Sequence, residues 1–222
     1  MNIKEKVEKF YYETKRIDRN NIEHYLNIYQ NNMGRLEGGR QHDPIYNDEN
    51  ARRQIYTFGD SWTYGWSLEQ EQTFTHLLGD KDTAVYNYGA GGTGLDFAVK
   101  TLSEVYIPES RRQIFIITVP HFFRRTWFDD DGVVLRAWQV KEKVNINEYN
   151  NYFYFLHHYN MLNTFVGRDK IIWGTWDGDL PAEHFDVNFD LTDLAEDNLH
   201  PGPIAHKEYA EKIKNVLQDR FK

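Results

Sequence analysis

The sequence contains no cysteine among its 222 residues, which excludes disulfide bonds and thiolate chemistry. It also has no run of about 18 apolar residues, the length that a membrane-spanning helix needs. No internal repeat or low-complexity segment is present. Because no apolar segment typical of a secretory signal follows Met1, we expect a cytoplasmic or virion-associated protein rather than one exported by the Sec pathway.

Basic residues are in the minority, with 26 Lys and Arg against 34 Asp and Glu and a net charge of −8. Affinity for nucleic acid or for an anionic membrane surface rests on clustered Lys and Arg. The composition therefore argues against both as general partners. A length of 222 residues is enough for one α/β domain with a substantial core.

The first 52 residues differ in pattern from the rest. Apolar residues recur at helical spacing in residues 3–16 and again in residues 21–33, and a polar connector without periodicity follows over residues 35–52. We expect residues 1–52 to form an N-terminal helical extension and residues 53–222 to form the main domain. The two predicted helices would pack on that domain or form a contact in an oligomer or a larger assembly.

Beyond residue 52, strand-like and helix-like segments alternate. Strands are predicted at residues 55–58, 82–88, 113–119 and 170–176, and helices near residues 73–78, 95–106, 147–166 and 204–221. This alternation predicts an α/β fold, a three-layer αβα sandwich with at least four strands in a mostly parallel sheet. Residues 126–135 alternate around Asp131-Gly132, which predicts an inserted β-hairpin beside the active site.

The first predicted strand ends abruptly at a serine. Residues 55–58 favour an extended backbone, Gly59 permits a sharp turn, and Asp60 and Ser61 follow. In an open α/β sheet, ligands bind at the carboxyl ends of the strands. Ser61 is therefore a candidate nucleophile, and Asp60 is interpreted as a residue that fixes the turn. The alternative is that Ser61 caps the start of a helix.

A serine hydroxyl needs a base and an acidic partner to act as a nucleophile, and the end of the chain supplies both. Asp197 and His200 stand three residues apart in a segment stiffened by Pro201 and Pro203. On a loop or a single turn, this spacing lets the carboxylate fix the imidazole tautomer while the second ring nitrogen faces Ser61. The two segments together predict a Ser-His-Asp triad.

A glycine-rich stretch, residues 89–94, lies between these two segments. It fits a tight turn into a helix, and it also fits a loop whose backbone N–H groups approach a developing oxyanion. The spacing of a dinucleotide-binding fingerprint is not met.

In these three segments the chain resembles the SGNH hydrolases, also called GDSL esterases and lipases. The matching blocks are Gly59-Asp60-Ser61, residues 87–94 and residues 197–201, and the resemblance covers about residues 54–217. It implies a flavodoxin-like sheet, catalytic residues Ser61, His200 and Asp197, and an oxyanion hole that includes the backbone N–H groups of Ser61 and Gly92. It also implies ester hydrolysis through an acyl-enzyme, with no metal and no organic cofactor.

The third block of that family, a glycine and an asparagine after the central strand, is missing. Removing one oxyanion donor from an acyl-transfer enzyme typically costs about 100- to 1000-fold in rate. His121 follows the strand predicted at residues 113–119 and is the positional substitute, with Arg124 as a second choice. We include His121 in the expected oxyanion hole.

Aromatic residues make up 16% of the chain, and Trp62, Tyr64 and Trp66 flank the predicted nucleophile. As substrate-binding residues they would suit a carbohydrate ester such as an O-acetylated polysaccharide, while a small-molecule short-chain acyl ester is equally allowed. The alternative is that these rings belong to the hydrophobic core. The missing asparagine and the N-terminal extension leave open a second hypothesis, a non-catalytic structural or binding protein such as a virion or surface-assembly component.

Other polar clusters are interpreted as structural. His157 and His158 lie on one predicted helix, and His206 lies on the C-terminal one. The acidic segment over residues 177–193 has no EF-hand spacing and is interpreted as a solvated loop, with Ca²⁺ binding as the alternative.

Overall fold

The structure is a computed structural model that describes residues 51–120, 127–128, 134–135, 148–176, 178 and 180–221. Its strands within these ranges are β1 (Arg53–Gly59), β2 (Thr83–Gly89), β3 (Gln113–Val119), β4 (Trp127–Phe128), β5 (Val134–Leu135), β6 (Ile171–Thr175) and β7 (Val187–Asn188). Its α-helices there are α1 (Ser61–Tyr64), α2 (Phe74–Leu77), α3 (Leu95–Val105), α4 (Glu148–Leu162) and α5 (Pro203–Arg220).

Five of the described strands form one parallel sheet in the order β2-β1-β3-β6-β7. With the hairpin strands set aside, this is the 2-1-3-4-5 order of a flavodoxin-like sheet. Gly59 at the end of β1 pairs with Gly89 at the end of β2. Because the strands are parallel, their carboxyl ends meet at one edge of the sheet, where these two glycines lie side by side.

The side chains of the strands alternate between two buried clusters, one on each face of the sheet. Phe58, Ile117 and Trp173 pack with residues of α3 and α4. Ile55 and Ile116 pack on the other face with residues of α2 and α5. Burial on both faces explains why the strands are apolar runs rather than alternating patterns. The expected three-layer αβα sandwich with a mostly parallel sheet is confirmed.

The sequence predicted four strands of this sheet but not β7. Val187 and Asn188 pair with Gly174 and Thr175 of β6, and Val187 is buried. β7 lies in the acidic segment for which the sequence predicts a solvated loop, and a strand of two residues is too short to show a strand period. The hairpin prediction agrees with the antiparallel pairing of β4 and β5, while its Asp131-Gly132 turn lies outside the described residues.

The predicted N-terminal extension, residues 1–52, lies outside the described residues except for Ala51 and Arg52. Its helices, its contacts and its boundary with the main domain therefore stay predictions. Of the helices that the structure describes, none combines the length and the apolar character needed to cross a membrane.

Candidate active site

β1 delivers Ser61 to the carboxyl edge of the sheet. Gly59 leaves no room for a β-carbon, which would clash with Oγ1 of Thr63. Asp60 is the N-cap of α1, and its carboxylate accepts a hydrogen bond of 3.0 Å from the backbone N–H of Trp62. Ser61 is therefore the first residue of the helix and not its cap, and only 7% of its surface is exposed.

A short loop presents His200 opposite Ser61. Leu194 and Pro201 form a β-bridge across this loop, and the N–H of Ala195 donates to the carbonyl of His200 over 2.8 Å. The loop is thus a closed turn, which limits the positions that the imidazole can take.

Asp193 joins this loop to α5. Its carboxylate accepts hydrogen bonds from the N–H groups of Ile204 (3.1 Å) and Ala205 (2.7 Å), which belong to the first turn of the helix. Those N–H groups have no partner within a helix, and the N-cap residue, Gly202, has no side chain to supply one. Asp193 therefore caps α5 from the far end of the loop that carries His200.

Ser61, His200 and Asp197 lie in hydrogen-bond contact. Nε2 of His200 is 3.1 Å from Oγ of Ser61, and Nδ1 is 2.6 Å from Oδ2 of Asp197. Since an ionised carboxylate can only accept, Nδ1 carries the proton and Nε2 is left to accept from the serine hydroxyl. The structure brings together the three residues that the sequence predicted as a triad, in the order that proton transfer from the serine requires.

Hydrogen bonds hold the pKa of the Asp197 carboxyl well below its usual range. Oδ1 accepts hydrogen bonds of 3.0 Å from the backbone N–H groups of Leu199 and His200. Oδ2 accepts from Nδ1 of His200 and from the hydroxyl of Ser67. Because these bonds favour the charged form, Asp197 is ionised at neutral pH and can stabilise a cationic imidazole.

Ser67 was not predicted as a site residue. Its hydroxyl donates to Oδ2 of Asp197 over 2.9 Å, although the two residues are 130 positions apart, and its backbone has a left-handed φ of +63°. Neither a long-range contact nor a left-handed serine has a sequence signature. Its only signal was its closeness in sequence to Ser61.

The glycine-rich loop lies beside the serine. A β-carbon on Gly91 would be 3.9 Å from Cβ of Ser61, and Gly92 follows with a φ of +79°, which favours glycine. Neither the N–H of Gly92 nor that of Ser61 donates to another described residue. The role of both groups as oxyanion donors stays a prediction.

The other expected oxyanion donor, His121, lies outside the described residues, and so does its alternative, Arg124. β3 ends at Val119, and Phe58 of β1 pairs with Ile117 near that end. The chain therefore leaves β3 at the edge of the sheet where Ser61 lies. The assignment of His121 and Arg124 stays a prediction.

Of the three aromatic residues predicted to bind substrate, Trp66 is the most exposed, at 45%. Its ring centroid is 6.3 Å from that of His200 and 5.6 Å from that of Tyr64. Trp62 packs against the cluster of α2 and α5, where its ring stacks on Trp176 at 4.3 Å. This contact agrees with the alternative that Trp62 belongs to the core, and substrate contact stays a prediction for all three.

The acidic segment before His200 is held by ion pairs, which corrects its interpretation as a solvated loop. Asp186 pairs with Arg168 and Arg220, and Asp190 pairs with Lys212. The two partners Lys212 and Arg220 lie on α5, so the segment is fastened to that helix. Within the described residues, no group of three or more His, Asp or Glu side chains is arranged to hold a metal ion.

No family model matches the chain, and no curated protein matches it. Among solved structures, the chain is similar to a member of the lipolytic protein G-D-S-L family from Veillonella parvula DSM 2008, with 13% identity, a TM-score of 0.48 and coverage of 75% of this chain and 98% of that chain. It is also similar to TesA, with 12% identity, a TM-score of 0.45 and coverage of 76% of this chain and 100% of that chain. A third similar structure is that of the psychrotrophic esterase EstA from Pseudoalteromonas sp., with 15% identity, a TM-score of 0.43 and coverage of 75% of this chain and 97% of that chain.

These likenesses are remote and concern the fold alone. The solved structures to which the chain is similar thus include a member of the G-D-S-L family, which its three sequence blocks resemble.

Proposed function

We propose that the chain is a serine ester hydrolase that works through a Ser-His-Asp triad and an acyl-enzyme. The observation that carries the proposal is the pair of contacts made by His200, with Nε2 at 3.1 Å from Oγ of Ser61 and Nδ1 at 2.6 Å from Oδ2 of Asp197. The alternative role for Ser61, capping α1, is filled by Asp60. The serine hydroxyl has an imidazole as partner where a structural serine would need only a backbone group.

The first half of the reaction forms the acyl-enzyme. Oγ of Ser61 attacks the ester carbonyl carbon while its proton passes to Nε2 of His200, and Asp197 stabilises the resulting imidazolium. The carbonyl oxygen becomes an oxyanion, which the N–H groups of Ser61 and Gly92 would bind. The tetrahedral intermediate then collapses, His200 returns its proton to the departing alcohol oxygen, and the acyl group stays on Ser61.

The second half releases the acid. Water enters the position left by the alcohol and gives its proton to His200 as its oxygen attacks the acyl carbon. Collapse of the second tetrahedral intermediate breaks the bond to Oγ, and the proton on His200 passes to Ser61. The scheme needs no metal and no organic cofactor.

A further oxyanion donor would come from His121 or Arg124, in place of the family's asparagine. One such donor contributes roughly 3 to 4 kcal/mol to transition-state stabilisation. Replacing each residue by alanine in turn, and measuring kcat on an activated acetyl ester, identifies the donor as the one whose loss lowers kcat about 100-fold or more.

The proposed substrate is an ester with a small acyl group, either an O-acetyl group on a carbohydrate or another short-chain acyl ester. The exposed ring of Trp66, close to His200, supports a carbohydrate, because sugar rings pack on exposed aromatic faces. Trp66→Ala should then raise KM for an acetylated oligosaccharide much more than for a small acetyl ester. An equal effect on both substrates would favour the simple acyl ester.

Labelling with a fluorophosphonate tests the function directly, because the reagent modifies only an activated serine. The wild type should be labelled, and Ser61→Ala should not. Ser103→Ala is the matched control, since the hydroxyl of Ser103 donates to the carbonyl of Lys100 within α3, outside the proposed triad. This variant should be labelled like the wild type.

The second hypothesis is a non-catalytic structural or binding protein on the same fold. It is favoured by two features of the sequence, the missing block with its asparagine directly after β3 and the predicted N-terminal extension. It would be accepted if the wild type resisted the fluorophosphonate and hydrolysed activated acetyl esters no faster than buffer does. The predicted helices in residues 1–52 would then be the first segment to test for assembly contacts.

A further inference from the structure

We propose that Ser67 is a positioning residue of this site, whose hydroxyl holds the Asp197 carboxylate in the orientation that His200 needs. The inference rests on the proposed hydrolase function. Oγ of Ser67 donates a hydrogen bond of 2.9 Å to Oδ2 of Asp197, and this same oxygen lies 2.6 Å from Nδ1 of His200. One carboxylate oxygen therefore accepts both the hydroxyl and the imidazole.

Ser67 ties the carboxylate to the side of the site that carries the nucleophile. The two bonds to Oδ1 of Asp197 come from Leu199 and His200, which belong to the same turn as Asp197. Such bonds orient the carboxylate within its turn but do not fix the turn against α1. Ser67 comes from the chain segment just after α1, so its bond connects the two halves of the site.

The backbone around Ser67 is folded back onto the nucleophile. Gly65 ends α1 in a left-handed conformation with a φ of +76°, and the N–H of Trp66 donates to the carbonyl of Ser61 over 3.1 Å. Ser67 then adopts a φ of +63°, which is unfavourable for a residue with a β-carbon. Glycine would fit this backbone better, so the hydroxyl is what serine adds at this position.

This contact would matter most in the transition state. As His200 takes the proton from Ser61 it becomes cationic, and its attraction to Asp197 grows. A carboxylate held by a second donor stays in line with Nδ1 at that moment, whereas a carboxylate that rotates towards water does not. Because Ser67 is exposed, water can partly replace its hydroxyl, and the expected effect is moderate.

Two substitutions separate this role from a purely structural one. Ser67→Gly removes the hydroxyl and relieves the left-handed strain, so we expect kcat/KM to fall about 10-fold, mainly through kcat, while Tm is unchanged or higher. Ser67→Thr keeps the hydroxyl and places a β-branched residue in the left-handed region. We expect its Tm to fall while kcat/KM stays within about threefold of the wild type. If Ser67 only supported the fold, kcat/KM would rise or fall together with Tm in both variants.

Proton NMR of the ring N–H at Nδ1 of His200 gives a readout that does not depend on turnover. The downfield signal of the wild type should shift or broaden in Ser67→Gly and keep its position in Ser67→Thr. An unchanged signal in Ser67→Gly would overturn the proposal. If the wild type hydrolyses no ester, the proposed function fails, and the same NMR comparison still decides whether Ser67 holds Asp197 against His200.

Discussion

The backbone N–H of Phe74 donates a hydrogen bond of 3.1 Å to Nδ1 of His206 and so joins α2 to α5 across 132 residues of sequence. His206 is completely buried, and its ring stacks on that of Phe74 with centroids 5.8 Å apart. Burial, which disfavours the charged ring, lowers the pKa of His206 to about 4. The histidine is therefore a neutral core residue, in agreement with its interpretation from the sequence.

This burial predicts a loss of stability in acid. The pKa of His206 is about 4 in the folded protein and about 6.5 in the unfolded chain. Between these values the unfolded chain binds more protons, so the free energy of unfolding falls as the pH falls from about 6.5 to about 4. The difference between these two pKa values corresponds to about 3 kcal/mol in the free energy of unfolding.

His206→Asn tests this prediction, because its amide oxygen can accept the Phe74 bond but it does not titrate. At about pH 7 the variant should be less stable than the wild type, and this gap should narrow as the pH falls to about 4.5, because only the wild type loses stability through His206. Urea unfolding of both proteins at the two pH values measures the gap. A gap that stays constant with pH would show that His206 is not the titrating group.

Asp197→Asn should abolish most of the activity without unfolding the protein. An amide nitrogen facing Nδ1 of His200 cannot accept its proton, so the imidazole is driven to the tautomer that cannot take a proton from Ser61. In a triad, this change typically lowers kcat by about 10⁴-fold. Rates on an activated acetyl ester, with circular dichroism as the check on folding, measure the effect. A loss below about tenfold would be inconsistent with the proposed role.

Asp193→Ala should weaken both the fold and the site. The substitution leaves the N–H groups of Ile204 and Ala205 without their acceptor and should cost about 1 to 2 kcal/mol, as the loss of a helix cap does. Since the loop to His200 starts at Asp193, kcat should fall as well. Asp219→Ala, at the exposed C-terminal end of α5, is the control and should change stability little. An equal loss of stability in Asp193→Ala and Asp219→Ala would refute the capping role of Asp193.

Gly92→Ala and Gly91→Ala should behave differently although the residues are neighbours. Gly92 has a φ of +79°, where a β-carbon costs about 1 to 2 kcal/mol, so its variant should lose stability and displace a proposed oxyanion donor. A β-carbon on Gly91 would meet the ring of Trp66 at 3.7 Å, an ordinary contact. Thermal unfolding should therefore show a lower Tm for Gly92→Ala alone. Similar Tm values for the two variants would contradict the left-handed conformation of Gly92.

The main lines of the fold were readable because the physical signals are local. Strands buried on both faces, such as β3, are continuous apolar runs, and the turn at Gly59 needs a residue without a β-carbon. The Asp197 and His200 pair was found for a similar reason, since the spacing that lets them touch is built into one turn. The strand β7 was missed because its only evidence is the partner β6.

The sequence by itself determined an α/β sandwich, the serine at the end of β1 and the carboxylate three residues before the imidazole. Only the tertiary structure decided which nitrogen of His200 faces Ser61, that Asp193 caps α5 and that Ser67 reaches Asp197. The physical reason is the distance along the sequence over which each signal acts. Periodicity and turn chemistry act within a few residues, whereas a hydrogen bond across 130 positions exists only once packing has brought its two ends together.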